Sequence, residues 1–238
     1  MEKEKVLKQE DVLPRLEKLY EKAVNGIPKV SKPIEQLATE YLEKNDSTEK
    51  AAKSFSKYQI AKCTTSGFIT SFGGVLMLPV TVPANIGSVL YVQMRMIACL
   101  AHMGGYDLSS DQVQTLVYVC LAGISIDEIV KRVGIQFGNK FGKALVEKIP
   151  GKTLQAINKA VGFRMFTKFG ETGLINIGKM VPVIGALVGG GFDFAETRAI
   201  SKRAYKMFIE GDFSVTNKES EALADADVCE ANFEEKDG

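Results

Sequence analysis

Apolar residues recur three and four positions apart along most of the chain and show no sustained alternation, which predicts an all-α protein. From Glu2 to Val24 the apolar positions Val6, Val12, Leu13, Leu16, Leu19, Tyr20 and Ala23 share one helix face, with Pro14 either interrupting that helix or beginning its main part. Asn25-Gly26-Ile27-Pro28 breaks the pattern. Ser31 is then expected to cap a second helix running through Tyr41, with Ile34, Leu37, Ala38, Tyr41 and Leu42 on one side. Asp46 and Glu49 have capping-box spacing for a third helix, in which Phe55 and Tyr58 lie close to Lys50, Lys53, Lys57 and Lys62.

The mixture of polar and apolar positions stops between Cys63 and Met94, a stretch without one Asp, Glu, Lys, Arg or His. At its middle Leu78, Pro79, Val80, Thr81, Val82 and Pro83 form a proline-bracketed break whose residues are apolar where a solvated turn would be polar. Such a turn needs cover from protein or from lipid, so Leu78, Pro79, Val80, Val82 and Pro83 are candidate membrane or partner contacts. Pro83 suits the first turn of a helix that reaches Met103 and stops at Gly104-Gly105-Tyr106-Asp107. That helix would be about 31 Å long, close to the thickness of a bilayer core. The expected architecture is a multi-helix bundle around an apolar hairpin containing glycine and proline.

Ser109 and Gln112 have capping spacing for a further apolar helix from Val113 to Leu121, ending near Gly123. Between Ile129 and Met180 the cations Lys131, Arg132, Lys140, Lys143, Lys148, Lys152, Lys159, Arg164, Lys168 and Lys179 face only Glu147 and Glu171, which marks a basic region of short amphipathic helices. Within it Gly134, Gly138 and Gly142 recur every four residues and leave one helix side open to close backbone approach. A second greasy piece, from Met180 to Phe192, is too short for an independent span. The last helix is expected from Asp193 to Ile209, capped at Gly211. Residues 1 to 209 thus read as one helical domain, and 210 to 238 as a disordered acidic tail with ten acids against Lys218 and Lys236. With an overall formal charge of +1, the body before that tail carries about +9.

The candidate chemistry is sparse. Cys63, Cys99, Cys120 and Cys229 show no metal or disulfide spacing, and His102 is the single histidine, which excludes a site built on several imidazoles. The charged N-terminus has no apolar signal core, so the chain is expected to begin in the cytosol. Gly151-Lys152-Thr153 imitates the end of a phosphate loop, but Val146 replaces the leading glycine and helix precedes it, so a turn between helices is expected. Gly189-Gly190-Gly191 lacks dinucleotide spacing. Asp193 at a helix start reads as a cap. Asn85, Gln93 and Arg95 argue against a lone lipid-facing span and form a candidate buried polar cluster, with Asp127 or Glu128 as the counter-charge for Arg95. Lysines beside apolar segments suit anionic lipid head groups better than nucleic acid, for which no recognition element is present.

The blocks Gln59-Ile60-Ala61-Lys62, Thr65-Ser66-Gly67-Phe68, Leu78 through Asn85, Gln93-Met94-Arg95-Met96-Ile97-Ala98 and Gly104-Gly105-Tyr106-Asp107 resemble the EcsC protein family. Thr115 through Cys120, Lys168-Phe169-Gly170 and Gly185 through Gly190 continue the resemblance, which covers about residues 20 to 210. It implies no catalytic residues, and its genetic setting beside an ABC transporter implies a role near membranes. The expectation is a non-enzymatic protein without a cofactor, peripheral or monotopic at the cytoplasmic face of the inner membrane. Its partners would be an anionic lipid surface and an ABC transporter or secretion-related membrane protein. A soluble helical scaffold or lipid-binding module is the alternative, and a hydrolase using Asp127 or Glu128 a more distant one.

Overall fold

A computed structural model describes residues 8–64, 84–124, 143–169 and 187–213. All regular structure among them is helical. After a turn of 3-10 helix at Gln9–Asp11 come α1 (Val12–Asn25), α2 (Ile34–Glu43), α3 (Thr48–Thr64), α4 (Ala84–Met103), α5 (Asp111–Ala122), α6 (Lys143–Val146), α7 (Gly151–Phe169) and α8 (Leu187–Phe208).

The bundle is wrapped around α4. This helix packs against α1, α2, α3, α5 and α8, and its side chains from Leu90 to Ala101 are buried without interruption. A helix covered on every side must be apolar all round, and α4 carries one strongly charged residue, Arg95. Its sequence bounds agree with the expected Pro83-to-Met103 helix within a residue. Its end is a hydrogen-bonded reversal in which the Gly105 N–H reaches the His102 carbonyl and the Tyr106 N–H the Ala101 carbonyl. Gly104 is needed here for a different reason. A Cβ on it would lie 2.1 Å from the Phe208 carbonyl oxygen, so this is where the ends of α4 and α8 touch backbone to backbone.

Around this axis the amphipathic faces close as the periodicity requires. Val12, Leu16, Leu19, Tyr20 and Ala23 are the buried face of α1, and Pro14 occupies its first turn, where the missing N–H has no helical partner to lose. Ile34 and Ala38 bury one side of α2, while Ala51, Ala52 and Phe55 do so for α3, with Tyr41 and Phe55 edge to face at 5.1 Å.

Three helix starts differ from expectation. Pro33, rather than Ser31, stands before α2, because Ser31 is engaged elsewhere. The Ser47 hydroxyl accepts from the Lys50 N–H at the head of α3, and Asp46 pairs with Lys50 instead of capping. Ser110 caps α5 by accepting from Val113, while Asp107 accepts from both the N–H and the hydroxyl of Ser109. At α3 and α5 neighbouring oxygens compete for the helix start, and one residue of slip costs little.

The largest correction is at α8. It begins at Leu187, so the described part of the greasy segment, residues 187–192, continues directly into the last amphipathic helix, and Asp193 stands inside that helix instead of capping its start. The glycines at 189–191 lie within this helix. Gly151-Lys152-Thr153 opens α7 directly after α6 and the Ile149-Pro150 turn, as a connection between helices.

Candidate functional site

The polar groups buried on α4 tie it to the helices around it. Arg95 is 7% exposed and donates through its two terminal nitrogens to the carbonyls of Ala23 and Lys32, both at 2.7 Å. Ala23 lies in the last turn of α1 and Lys32 just ahead of α2. The guanidinium therefore sits at the negative end of the α1 dipole, where a cation is favoured. Its carbon lies 5.7 Å from the centre of the Tyr91 ring, and the Tyr91 hydroxyl shares a 2.6 Å hydrogen bond with Ser31. Ser31 in turn accepts from the Ile27 N–H.

Gln93 turns the other way. Its amide donates at 3.1 Å to the Thr197 hydroxyl on α8, and both residues are buried. Two positions on a helix point to different sides. Arg95 and Gln93 thus serve separate junctions and share no described partner. Asn85 lies in the first turn of α4, and its side chain is outside the described residues, as are Leu78, Pro79, Val80, Val82, Pro83, Asp127 and Glu128.

A second buried arginine is not among the residues that the sequence singles out. Arg203 on α8 is 2% exposed and donates at 2.8 Å to the Cys120 carbonyl, in the last turn of α5. The Cys120 thiol donates back to the Ile200 carbonyl of α8 at 3.8 Å. Burial pushes that thiol up to about 12, against the opposing pull of Arg203. Cys99 is likewise raised by burial, with Arg95 pulling against the shift. Neither is poised as a thiolate nucleophile. Helical spacing was the available signal, since Arg203 stands four residues from both Ala199 and Met207, which are buried.

The outer groups are arranged differently. α7 has four cations and no acid, and its exposed positions Lys152, Gln155, Lys159 and Phe163 follow one stripe, with Arg164 beside them. Lys168 departs from that stripe and pairs with Glu196 of α8. Phe163 is 57% exposed, the most exposed large apolar side chain among the described residues. Between α7 and the N-terminal turn lies a shallow cleft of about 710 Å³, bordered by Lys8, Glu10, Leu13, Gln155 and Lys159.

Among the described residues no three or more His, Cys, Asp or Glu are placed to hold a metal, and no helix is long and apolar enough to cross a membrane. The fold and its buried polar junctions define an all-α bundle organised around one enclosed helix. The chain belongs to the EcsC protein family, whose model matches residues 3–209. No match was found among curated proteins or solved structures.

Proposed function

We propose that this protein is a non-enzymatic, membrane-associated helical module at the cytoplasmic face of a cell membrane, accessory to an ABC transporter or secretion system. The observation that carries this reading is the uncharged segment 65–83, with its Pro79 and Pro83, attached to a helical body that displays exposed lysines and Phe163. Lipid contact would come from Leu78, Pro79, Val80, Val82 and Pro83, while lysines on α3 and the basic region hold the anionic surface at about 1 kcal/mol each. Fractionation of native cells tests it. The protein is expected in the membrane pellet and partly released by a salt wash, with the remainder released by detergent. Recovery wholly in the soluble fraction overturns it.

One observation favours a soluble scaffold or lipid-binding module instead. The last seven residues of the uncharged stretch, Ser88 to Met94, are enclosed by protein apart from a half-buried Val89. The substitution Val80→Asp separates the two readings. Release from membranes with an unchanged melting temperature supports insertion, whereas unfolding supports a core role.

A further inference from the structure

We infer that the outer face of α7 is a docking surface for anionic phospholipid, with Phe163 as the side chain that enters the acyl boundary. This rests on the membrane-association reading and assigns it a second contact, separate from the Pro79–Pro83 turn. Phe163 stands between exposed Lys159 and Arg164, so an apolar ring projects from a face whose charged side chains are all cationic. The stripe runs back through Gln155 to Lys152, with Lys148 just before the helix.

The charge distribution points to the occupant. A helix start favours acids, yet the first turn of α7 has none and carries Lys152. The resulting cationic surface has an apolar tip, complementary to a plane of phosphates over hydrocarbon. Across the cleft Lys8 adds a cation on the same side, although Glu10 lies 3.6 Å from it and offsets part of its charge.

The test is sedimentation of the full chain with vesicles of phosphatidylcholine alone or with about 30% phosphatidylglycerol, whose negative surface draws basic side chains. Wild type is expected to bind only the anionic vesicles. The double variant Lys159→Gln/Arg164→Gln should lower the partition coefficient by about 25-fold, from about fivefold per charge. Phe163→Ser should lower it by about 5- to 10-fold. The matched control Lys18→Gln/Lys44→Gln removes two exposed cations on α1 and after α2 and should change it less than about threefold.

Equal loss in the control means diffuse net-charge attraction and overturns the assignment of this face. Wild-type binding unaffected by all three substitutions on α7 overturns it too, while leaving membrane association standing. Binding that appears only after removal of residues 214–238 makes the acidic tail the occupant and overturns the proposal. A concentration-dependent dimer abolished by Phe163→Ser, without vesicle binding by wild type, assigns the face to a second copy and also overturns it.

Discussion

The ends of α1 and α5 pose the same problem and solve it differently. Each helix stops at a glycine with positive φ, Gly26 at 75° and Gly123 at 68°, and in each a buried arginine from another helix donates to the carbonyl three residues before that glycine. At α5 the backbone already does much of the work, since the Gly123 N–H reaches the Cys120 carbonyl and the Ile124 N–H reaches that of Val119. At α1 the chain leaves Gly26 in an extended direction, with ψ of 177°, and the Ile27 N–H turns to Ser31 instead. The last carbonyls of α1 are thus left to side chains of α4, with Arg95 on Ala23 and Tyr91 at 3.5 Å from Lys22. The difference teaches that the same arginine contact has unequal weight. Arg203 reinforces a closed reversal, whereas Arg95 replaces one.

The largest effect is therefore expected from Arg95→Met. Leaving the Ala23 and Lys32 carbonyls buried without their charged donor should cost about 4 kcal/mol in urea unfolding. The same measurement at pH 4 sharpens the point. If carbonyls are the operative partners, the loss is the same as at pH 7, because a carbonyl does not titrate there. A loss that shrinks markedly at pH 4 assigns the charge to a carboxylate, with Asp127 and Glu128 the first to replace. Arg203→Met should cost less, about 2.5 kcal/mol, since the reversal at Gly123 survives it. Equal losses at the two sites would break the comparison.

The glycines carry the contrast in a second way. At Gly26 an added Cβ would lie 2.4 Å from the Ser31 carbonyl oxygen, and its backbone angles belong to glycine almost alone. Gly26→Ala should cost about 3 kcal/mol. Gly123 has ordinary left-handed angles, φ 68° and ψ 39°, so Gly123→Ala should cost about 1 kcal/mol. Thermal melts of the two variants check the ranking.

Much of this scaffold was legible in the sequence, for reasons visible in particular residues. Val12, Leu16, Leu19 and Ala23 announce α1 because burial enforces the helical period. The span from Pro83 to Met103 announces α4 because a helix enclosed on all sides excludes charge. The junctions were less legible. Arg95 was recognised as a polar group needing a partner, but carbonyls at a helix end leave no mark in the sequence, whereas acids invite pairing. Arg203 is hidden among the half-buried Arg198, Lys202 and Lys206 on α8, although its period places it with Ala199 and Met207. The caps shifted by one residue at Ser47 and Ser110 because adjacent oxygens offered equivalent local chemistry. Asp193 resembles a helix start because a charge following glycines marks a boundary, yet α8 begins at Leu187.

The smallest expected effect concerns the opposite end of α5 and asks whether that helix is fastened at both termini. The Ser109 N–H and hydroxyl both donate to Asp107 and hold its carboxyl below the usual range. A carboxyl lowered by folding contributes stability that is fully present above its ordinary value, near 3.8, and is lost as pH falls through the lowered one. The urea midpoint of wild type should therefore exceed that of Asp107→Asn by a small margin at pH 6, and the two should converge as pH falls below the ordinary carboxyl value. Because the carboxyl is fully exposed, water screens the interaction and the margin stays below that of either glycine substitution. A margin that persists unchanged to pH 2.5 would place the effect of the substitution in the turn geometry instead of the charge. The fastening of α5 would then rest on Ser110, Gly123 and Arg203.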